Sequence, residues 1–206
     1  DDRSIVPIEK HDNRFYMELF HGPTLAFKDI ALQMLPQLMT RAVQIEKIDK
    51  DIIILTATSG DTGTASMRGF ANQKGTDVIV FYPEGGVSPV QLKQMLSQRG
   101  DNLRAIAIKG NFDDAQTEVK KIFNDDSFKN RLNANGYQFS SANSMNIGRL
   151  VPQISYYLYT YGQLVRRQEI KLGDEVNFAV PTGNFGDILA GYYAKKLGLP
   201  IKKLIC

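Results

Sequence analysis

The stretch Asp51–Ala57 constrains the fold more than any other part of this sequence. Its centre, Ile52–Leu55, is an unbroken apolar run rich in β-branched residues, which is typical of a parallel strand buried on both faces. It leads directly into Ser59–Thr64, a loop of small and polar residues that predicts a turn into a helix. Because parallel strands are usually joined by crossover helices, this unit predicts an α/β fold.

The alternation of strand and helix continues along the chain after a short predicted hairpin. Such a chain forms parallel sheets with helices on both faces, joined by right-handed crossovers. The strands are predicted over Ile5–Lys10, Arg14–Phe20, Asp51–Ala57, Asp77–Tyr82, Leu103–Lys109, Tyr137–Ser141, Glu175–Val180 and Ile201–Cys206. The helices are predicted over Phe27–Glu46, from the 59–64 loop to Gln73, and over Ser88–Gln98, Asn111–Asn124, Ser144–Gln163 and Ile188–Leu197. No element is predicted for the polar stretch 125–135.

The composition is that of an ordinary globular protein. The chain has 206 residues, 43% of them hydrophobic and 23% charged, enough for one or two α/β domains. The net charge of +3 is small and the basic residues are scattered, so we expect no nucleic-acid partner. No apolar run approaches the ~20 residues that cross a bilayer, so we expect no membrane partner. Two histidines and the single Cys206 argue against a zinc site and a disulfide framework, which favours a cytoplasmic location.

Lys28 is the first candidate catalytic residue. It follows a turn forced by Gly22 and Pro23, and Thr24 is a predicted helix N-cap, which would place Lys28 about one turn into a helix. Its neighbours are apolar, and a lysine held in an apolar pocket has a lowered pKa. The neutral amine is the form that makes a Schiff base. Because most lysines are solvated, this interpretation needs a second and third part of a site.

Three further loops favour the binding of anions. Ser59–Thr64 and Gly183–Asp187 each follow a predicted strand and open a helix, so that backbone N–H groups can surround a phosphate. Ser141–Arg149 places amides and hydroxyls before a helix, with an arginine that can bind a carboxylate or phosphate through two hydrogen bonds. Each loop alone is equally compatible with a simple capped turn. Asp187 would repel a phosphate if it pointed inward, so we expect it to cap the helix or turn away.

Together these features meet the two requirements of pyridoxal phosphate, which are a lysine for the Schiff base and an anchor for a phosphate. Pro23–Asp29 closely resembles the cofactor-lysine motif of threonine synthases. Ser59–Gly63 resembles the loop that faces the cofactor ring in fold-type II pyridoxal-phosphate enzymes, and Asp61 is similar to the aspartate of the branch found in many bacteria and yeast. Gly183–Asp187 resembles the phosphate-binding loop of the same family. The resemblance covers essentially the whole chain.

The resemblance implies two parallel-sheet, three-layer αβα domains of the tryptophan synthase β-like fold, present here incompletely. Residues 1–50 and 143–206 would form the larger cofactor-binding domain, and residues 51–142 the smaller one. Relatives also carry a C-terminal portion that supplies a serine or threonine opposite the pyridine nitrogen. The chain begins Asp1-Asp2-Arg3 and ends on a strand-like run, so we expect residues of the natural protein to be missing on both sides.

The implied activity is the conversion of O-phospho-L-homoserine and water to L-threonine and phosphate by a monomer or homodimer. Lys28 would be the catalytic residue and the cofactor's Schiff-base lysine. The other cofactor-binding residues would be Asp61, Gly183, Asn184, Phe185, Gly186 and Asp187. The candidates for the substrate carboxylate are Ser59, Thr62 and Thr64. The candidates for the substrate phosphate are Asn143, Ser144, Asn146 and Arg149.

Two alternatives stay open at this point. The first keeps pyridoxal phosphate and changes the substrate, as in a serine or threonine dehydratase or a β-replacing synthase of the same fold. The second is a truncated copy that retains the fold as a non-catalytic binding or interaction module. Asp61 and the residues Thr24–Asp29 favour threonine synthase over the first alternative, and the intact Lys28 argues against the second.

Overall fold

The computed structural model describes residues 6–206. Ile5, the first residue of the predicted hairpin, lies outside them. The strands are β1 (Ile8–His11), β2 (Arg14–Met17), β3 (Asp51–Ala57), β4 (Thr76–Pro83), β5 (Leu103–Ile108), β6 (Tyr137–Ser141), β7 (Val176–Ala179) and β8 (Ile201–Ile205). The helices are α1 (Asp29–Glu46), α2 (Asp61–Phe70), α3 (Pro89–Leu96), α4 (Phe112–Asn124), α5 (Asp126–Ala134), α6 (Ile147–Arg166) and α7 (Gly186–Lys196).

The central feature is a four-stranded sheet in the order β5-β4-β3-β6, with every neighbouring pair parallel. In its register Leu55 of β3 lies between Ile79 of β4 and Ser141 of β6. The strands β7 and β8 form a separate parallel pair, and β1 and β2 form an antiparallel hairpin. The predicted α/β class with parallel sheets is therefore confirmed.

Helices cover both faces of the four-stranded sheet. On one face Ile54 of β3 lies in a core that includes Leu32 of α1 and Phe70 of α2. On the other face its neighbour Leu55 packs against Val119 of α4. Because successive residues of a strand point to opposite faces, an apolar run such as β3 can form only where both faces are buried. A second core joins α6 and α7 to the β7–β8 pair.

The chain changes direction between β3 and β6. It leaves β3 through α2 to β4 on one side, and reaches β6 on the other side only after α4 and α5. Ligands of open α/β sheets bind outside the carboxyl ends of the strands at such a switch point. The side chain of Asn143, just after β6, joins the carboxyl ends of β6 and β3. Its Nδ2 donates to the Ala57 carbonyl oxygen at 2.9 Å and its Oδ1 accepts from the Ala57 N–H at 3.2 Å.

Two local expectations are corrected by the structure. Thr24 is not a helix N-cap, because its N–H and hydroxyl both donate to the carboxylate of Asp29, and α1 begins only at Asp29. Lys28 therefore stands at the very start of the helix and not one turn inside it. The polar stretch after α4 does form a helix, α5, which is capped by Asp125 and buries none of its residues. Ser88, with which the third predicted helix begins, is the N-cap of α3.

Candidate active site

The amine of Lys28 meets the carboxylate of Asp61 at the switch point. Lys28 Nζ lies 2.5 Å from Asp61 Oδ2 and 4.4 Å from the centre of the Phe27 ring. The lysine side chain is only 13% exposed, whereas that of Asp61 is 39% exposed. Burial lowers the pKa of Lys28 below its usual value, although the charge and hydrogen bond of Asp61 oppose that change. The site therefore favours a more readily deprotonated amine, as the sequence predicts.

The backbone around Lys28 is fixed from two sides. Before it, the buried carboxylate of Asp29 accepts hydrogen bonds from Thr24 and closes the preceding turn. Gly22 is needed in that turn, because an added Cβ would lie 2.4 Å from the Asp29 carboxylate. Behind it, the hydroxyl of Tyr156 on α6 donates to the Phe27 carbonyl oxygen at 2.5 Å. The backbone on either side of Lys28 is thus held in place by hydrogen bonds to Asp29 of α1 and from Tyr156 of α6.

Of the four helices that begin at predicted functional motifs, α1, α2 and α7 lack a capping side chain at the N-cap residue, whereas α6 is capped by Asn146. The N-cap residues of α1, α2 and α7 make no side-chain hydrogen bond to the helix. In α3, α4, α5 and α6 the N-cap side chain does accept from the first turn. The first N–H groups of a helix have no partner within it, and they attract anions. The start of α7 is therefore a place where this fold can receive a negatively charged group, whereas in α2 the Gly63 N–H already donates to the Thr58 hydroxyl.

The loop before α2 is shaped by Thr58. Its hydroxyl oxygen accepts from the N–H groups of Gly60 at 3.0 Å and Gly63 at 2.9 Å. Of the predicted carboxylate-binding residues, Ser59 is exposed and Thr62 is half-buried. Thr64 is only 1% exposed, and its hydroxyl has no partner among residues 6–206.

The loop before α7 is open on one side and packed on the other. Gly183, Asn184 and Phe185 are exposed, and Phe185 has a left-handed backbone with φ of 58°. An added Cβ at Gly186 would lie 3.1 Å from the Cβ of Ser144. A cavity of about 630 Å³ begins at this contact and extends between α4 and α7. Its lining includes Asn143, Ser144, Asn184, Phe185 and Gly186.

The side chain of Asp187 does not cap α7. The hydroxyl of Tyr157 donates to both the Asp187 carbonyl oxygen at 2.8 Å and its carboxylate Oδ1 at 3.2 Å. Burial raises the pKa of Asp187, while the hydrogen bond from Tyr157 and the charge of Lys28 oppose the rise. The carboxylate is therefore held by α6.

Arg149 supplies a buried positive charge in the same region. It is 5% exposed, one of its terminal nitrogens donates to the Ala142 carbonyl oxygen at 2.8 Å, and its Nε has no partner within the described residues. Burial lowers the pKa of Arg149 to about 10, and the charge of Asp61 opposes this. A buried charge is normally paired. The incompletely paired guanidinium thus favours an anionic ligand near Asp61 and Lys28.

The remaining predicted residues shape the turn before α6. Asn146 is the N-cap of α6, with its Oδ1 accepting from the Gly148 N–H at 2.9 Å and its Nδ2 donating to the Ser141 carbonyl oxygen at 2.7 Å. Asn143 bonds Ala57 as described above, so both amides already have backbone partners. Tyr156 and Tyr157 also belong to this region, and the sequence motifs do not point to either of them. The signal was present, since both follow Arg149 by about two helical turns and can share its face.

The chain matches a known protein family over nearly its whole length. A family model described as "Pyridoxal-phosphate dependent enzyme" matches residues 9–205. The chain belongs to the pyridoxal-phosphate-dependent enzyme family. The predicted resemblance is thereby confirmed, and the cofactor of the family is pyridoxal 5'-phosphate.

The curated relatives include threonine synthases. The enzyme of Saccharomyces cerevisiae is 43% identical over 199 residues, which are 94% of this chain and 37% of the yeast protein. The enzyme of Pseudomonas aeruginosa is 42% identical over 98% of this chain and 41% of its own length. Among solved structures, threonine synthase from Escherichia coli has a TM-score of 0.83 at 41% identity, covering 97% of this chain and 44% of that one. The chain thus spans less than half the length of these relatives.

The residues present fit pyridoxal phosphate. A solved threonine synthase from Brucella melitensis with bound pyridoxal phosphate has a TM-score of 0.80 and 43% identity, and it matches 97% of this chain and 41% of its own. In this chain the buried Lys28 amine can react with an aldehyde, and the uncapped N-terminus of α7 can receive a phosphate. Within residues 6–206, no cluster of three or more histidine, cysteine, aspartate or glutamate side chains could hold a metal ion. No helix among them is long and apolar enough to cross a membrane.

Proposed function

We propose that this chain carries the pyridoxal-phosphate site of a threonine synthase, which converts O-phospho-L-homoserine and water to L-threonine and phosphate. The observation that carries the proposal is the buried Lys28 amine, paired with Asp61 at the switch point of the sheet and close to the buried charge of Arg149. The threonine synthases that match nearly the whole chain at about 40% identity support the choice of reaction.

Two parts of the site would hold the cofactor. Lys28 would bind its aldehyde through the amine nitrogen, and the loop Gly183–Asp187 would bind its phosphate through backbone N–H groups at the start of α7. Asp61 would lie beside the ring system. When bound, pyridoxal phosphate supplies an electron sink for the charge that develops on the substrate carbon.

Lys28 would then act as the base and acid of the reaction. Its lowered pKa places more of the amine in the neutral form near neutral pH than an exposed lysine would have. The neutral amine would take a proton from the α carbon of the substrate and move protons at the β carbon. The hydrogen bonds that Asp29 accepts and Tyr156 donates hold the backbone around Lys28, and so would keep the amine at one position during these proton transfers.

The substrate carries two anionic groups, and the chain offers two places for them. Arg149 would bind the substrate phosphate, with Ser144 beside it and the amides of Asn143 and Asn146 holding the turn. The start of α2 would bind the substrate carboxylate, using the hydroxyls of Ser59, Thr62 and Thr64. The unpartnered Arg149 Nε and Thr64 hydroxyl support this division, because buried polar groups ordinarily have partners.

Three further points belong to the proposal. The larger domain would comprise residues 1–50 and 143–206 and the smaller one 51–142, in keeping with the four-stranded sheet, whose strands all lie between residues 51 and 141. The enzyme would act in the cytoplasm. It would act as a monomer or homodimer.

Borohydride reduction of the protein with bound pyridoxal phosphate, followed by peptide mapping, tests the lysine. We expect the reduced cofactor on Lys28, and no visible imine absorbance in the Lys28→Ala variant. Lys74→Ala, which changes an exposed lysine, is the matched control. An imine band that persists in Lys28→Ala contradicts the assignment.

The reaction is tested separately, by measuring release of phosphate and formation of L-threonine from O-phospho-L-homoserine. Serine and threonine are offered in parallel as substrates. Consumption of either one, with phosphohomoserine left intact, would favour a dehydratase of the same fold over the proposed reaction.

A further inference from the structure

Asp187 occupies an unusual place for a carboxylate. It is the second residue of α7, where an acidic side chain ordinarily interacts with the unpaired N–H groups and positive end of the helix. These are the same groups that the loop Gly183–Asp187 would offer to the cofactor phosphate. A carboxylate free to turn toward them would both occupy the donors and repel the phosphate.

Tyr157 holds the Asp187 carboxylate in its present orientation. Its hydroxyl donates to Oδ1 of Asp187 at 3.2 Å and to the carbonyl oxygen of the same residue at 2.8 Å. Tyr157 is 2% exposed, so this hydroxyl is shielded from water that would compete for the hydrogen bond. One donor thus holds both the side chain and the backbone of Asp187.

The position of the Tyr157 ring is fixed by packing. An added Cβ at Gly191, one turn after Asp187 on α7, would lie 2.7 Å from two ring carbons of Tyr157. The ring also meets Phe178 of β7 edge to face, with ring centres 5.0 Å apart. Only a glycine at position 191 lets α7 approach so closely, and this approach brings the tyrosine hydroxyl to Asp187.

We propose that Tyr157 is a positioning residue, which holds the Asp187 carboxylate away from the start of α7 and leaves the N–H groups there for the cofactor phosphate. The inference rests on the proposed role of the Gly183–Asp187 loop. Tyr156 fixes the lysine segment through Phe27, and Tyr157 fixes the phosphate loop through Asp187.

The charges around Asp187 agree with this role. Burial raises the pKa of Asp187, whereas the hydrogen bond from Tyr157 and the charge of Lys28 oppose that rise and favour the ionised form. Without the tyrosine hydroxyl, the carboxylate loses its neutral donor. The N–H groups of α7 are then the donors on its own helix that can replace it.

The test compares pyridoxal phosphate with pyridoxal, which has the same aldehyde and ring but no phosphate. Binding of each to the whole protein is measured by absorbance titration, so that catalysis is not needed. We expect Tyr157→Phe to weaken binding of pyridoxal phosphate about tenfold, or ~1.4 kcal/mol, and to leave pyridoxal binding unchanged. Tyr159→Phe, an exposed tyrosine two residues along α6, is the matched control.

A double-mutant cycle identifies the carboxylate as the cause. In the Asp187→Asn background, the Tyr157→Phe change is expected to have no further effect on pyridoxal phosphate affinity. An equal loss for both ligands in Tyr157→Phe would mean a general structural role and overturn the inference. The same loss in the Asp187→Asn background would also overturn it. Equal affinity of the unmodified protein for the two ligands would instead refute the phosphate-loop role itself.

Discussion

Replacing Asp61 with asparagine tests the electrostatics of the site most directly. The substitution keeps the size of the side chain and removes its charge. Because the charge of Asp61 opposes the effect of burial on Lys28, its removal is expected to lower the pKa of Lys28 further. The amine would then be neutral over a wider range of pH.

The magnitude follows from the distance between the two groups. Two unit charges 2.5 Å apart interact by about 1.7 kcal/mol even at the dielectric constant of water. The dielectric constant of water gives the lower limit of this energy, and that limit is the appropriate one because Asp61 is 39% exposed and its charge is well screened. The pKa of Lys28 is therefore expected to fall further, and below that pKa the neutral fraction of the amine is expected to rise by on the order of tenfold, since each ~1.4 kcal/mol is a factor of ten in an equilibrium constant.

Competitive acetylation measures this pKa without the cofactor. The protein is treated with trace acetic anhydride over a range of pH, and mass spectrometry follows the extent of reaction at Lys28. Asp113→Asn is the matched control, because Asp113 is an exposed acidic residue in the first turn of a different helix. An unchanged or higher pKa of Lys28 in Asp61→Asn would refute the proposed coupling between the two residues.

Three further predictions concern stability, each measured by urea unfolding. Gly63→Ala is expected to lower the free energy of unfolding by about 1 to 3 kcal/mol, because its Cβ would lie 2.7 Å from Thr58 and 2.8 Å from Val80; an unchanged midpoint would show that the core yields. Asn111→Ala removes the capping box of α4 and is expected to cost about 1 kcal/mol; no loss would mean that the cap is dispensable. Burial raises the pKa of Asp187 above 3.8, so this carboxyl contributes stability at low pH that is lost as the pH rises through the folded-state pKa. Asp187→Asn is therefore expected to stabilise the protein at neutral pH relative to acidic pH, and the opposite trend would contradict that shift.

Most of the regular structure could be predicted from local patterns. The run Asp51–Ala57 forms β3 with the predicted bounds, because an apolar strand can satisfy both its faces only inside a layered fold. Asn111–Asn124 forms α4 on the strength of its cap and its amphipathic spacing. The polar stretch after it shows no such pattern, because α5 buries none of its residues, although Asp125 caps it.

The site was predictable in its parts but not in its arrangement. The motifs around Lys28, Asp61 and Gly183–Asp187 were recognised from residue types and their place after strands. Nothing in the local pattern indicated that Asp29, not Thr24, would organise the turn before the helix. That outcome depends on the buried Asp29 carboxylate lying beside two donors, the backbone N–H and the hydroxyl of Thr24.

The sequence by itself therefore determined the α/β class, the order of the strands and of every helix except α5, and the position of the glycine-rich loops, and it singled out Lys28 as the candidate lysine. Periodicity reports which residues are buried, and it does not report their partners. Tertiary structure alone decided that Lys28 meets Asp61 across 33 residues and that Tyr156 holds Phe27 across 129. Such contacts form only when β3 lies beside β6 and α6 packs against both α1 and α7. It is the packing of whole elements that brings side chains distant in sequence within hydrogen-bond distance.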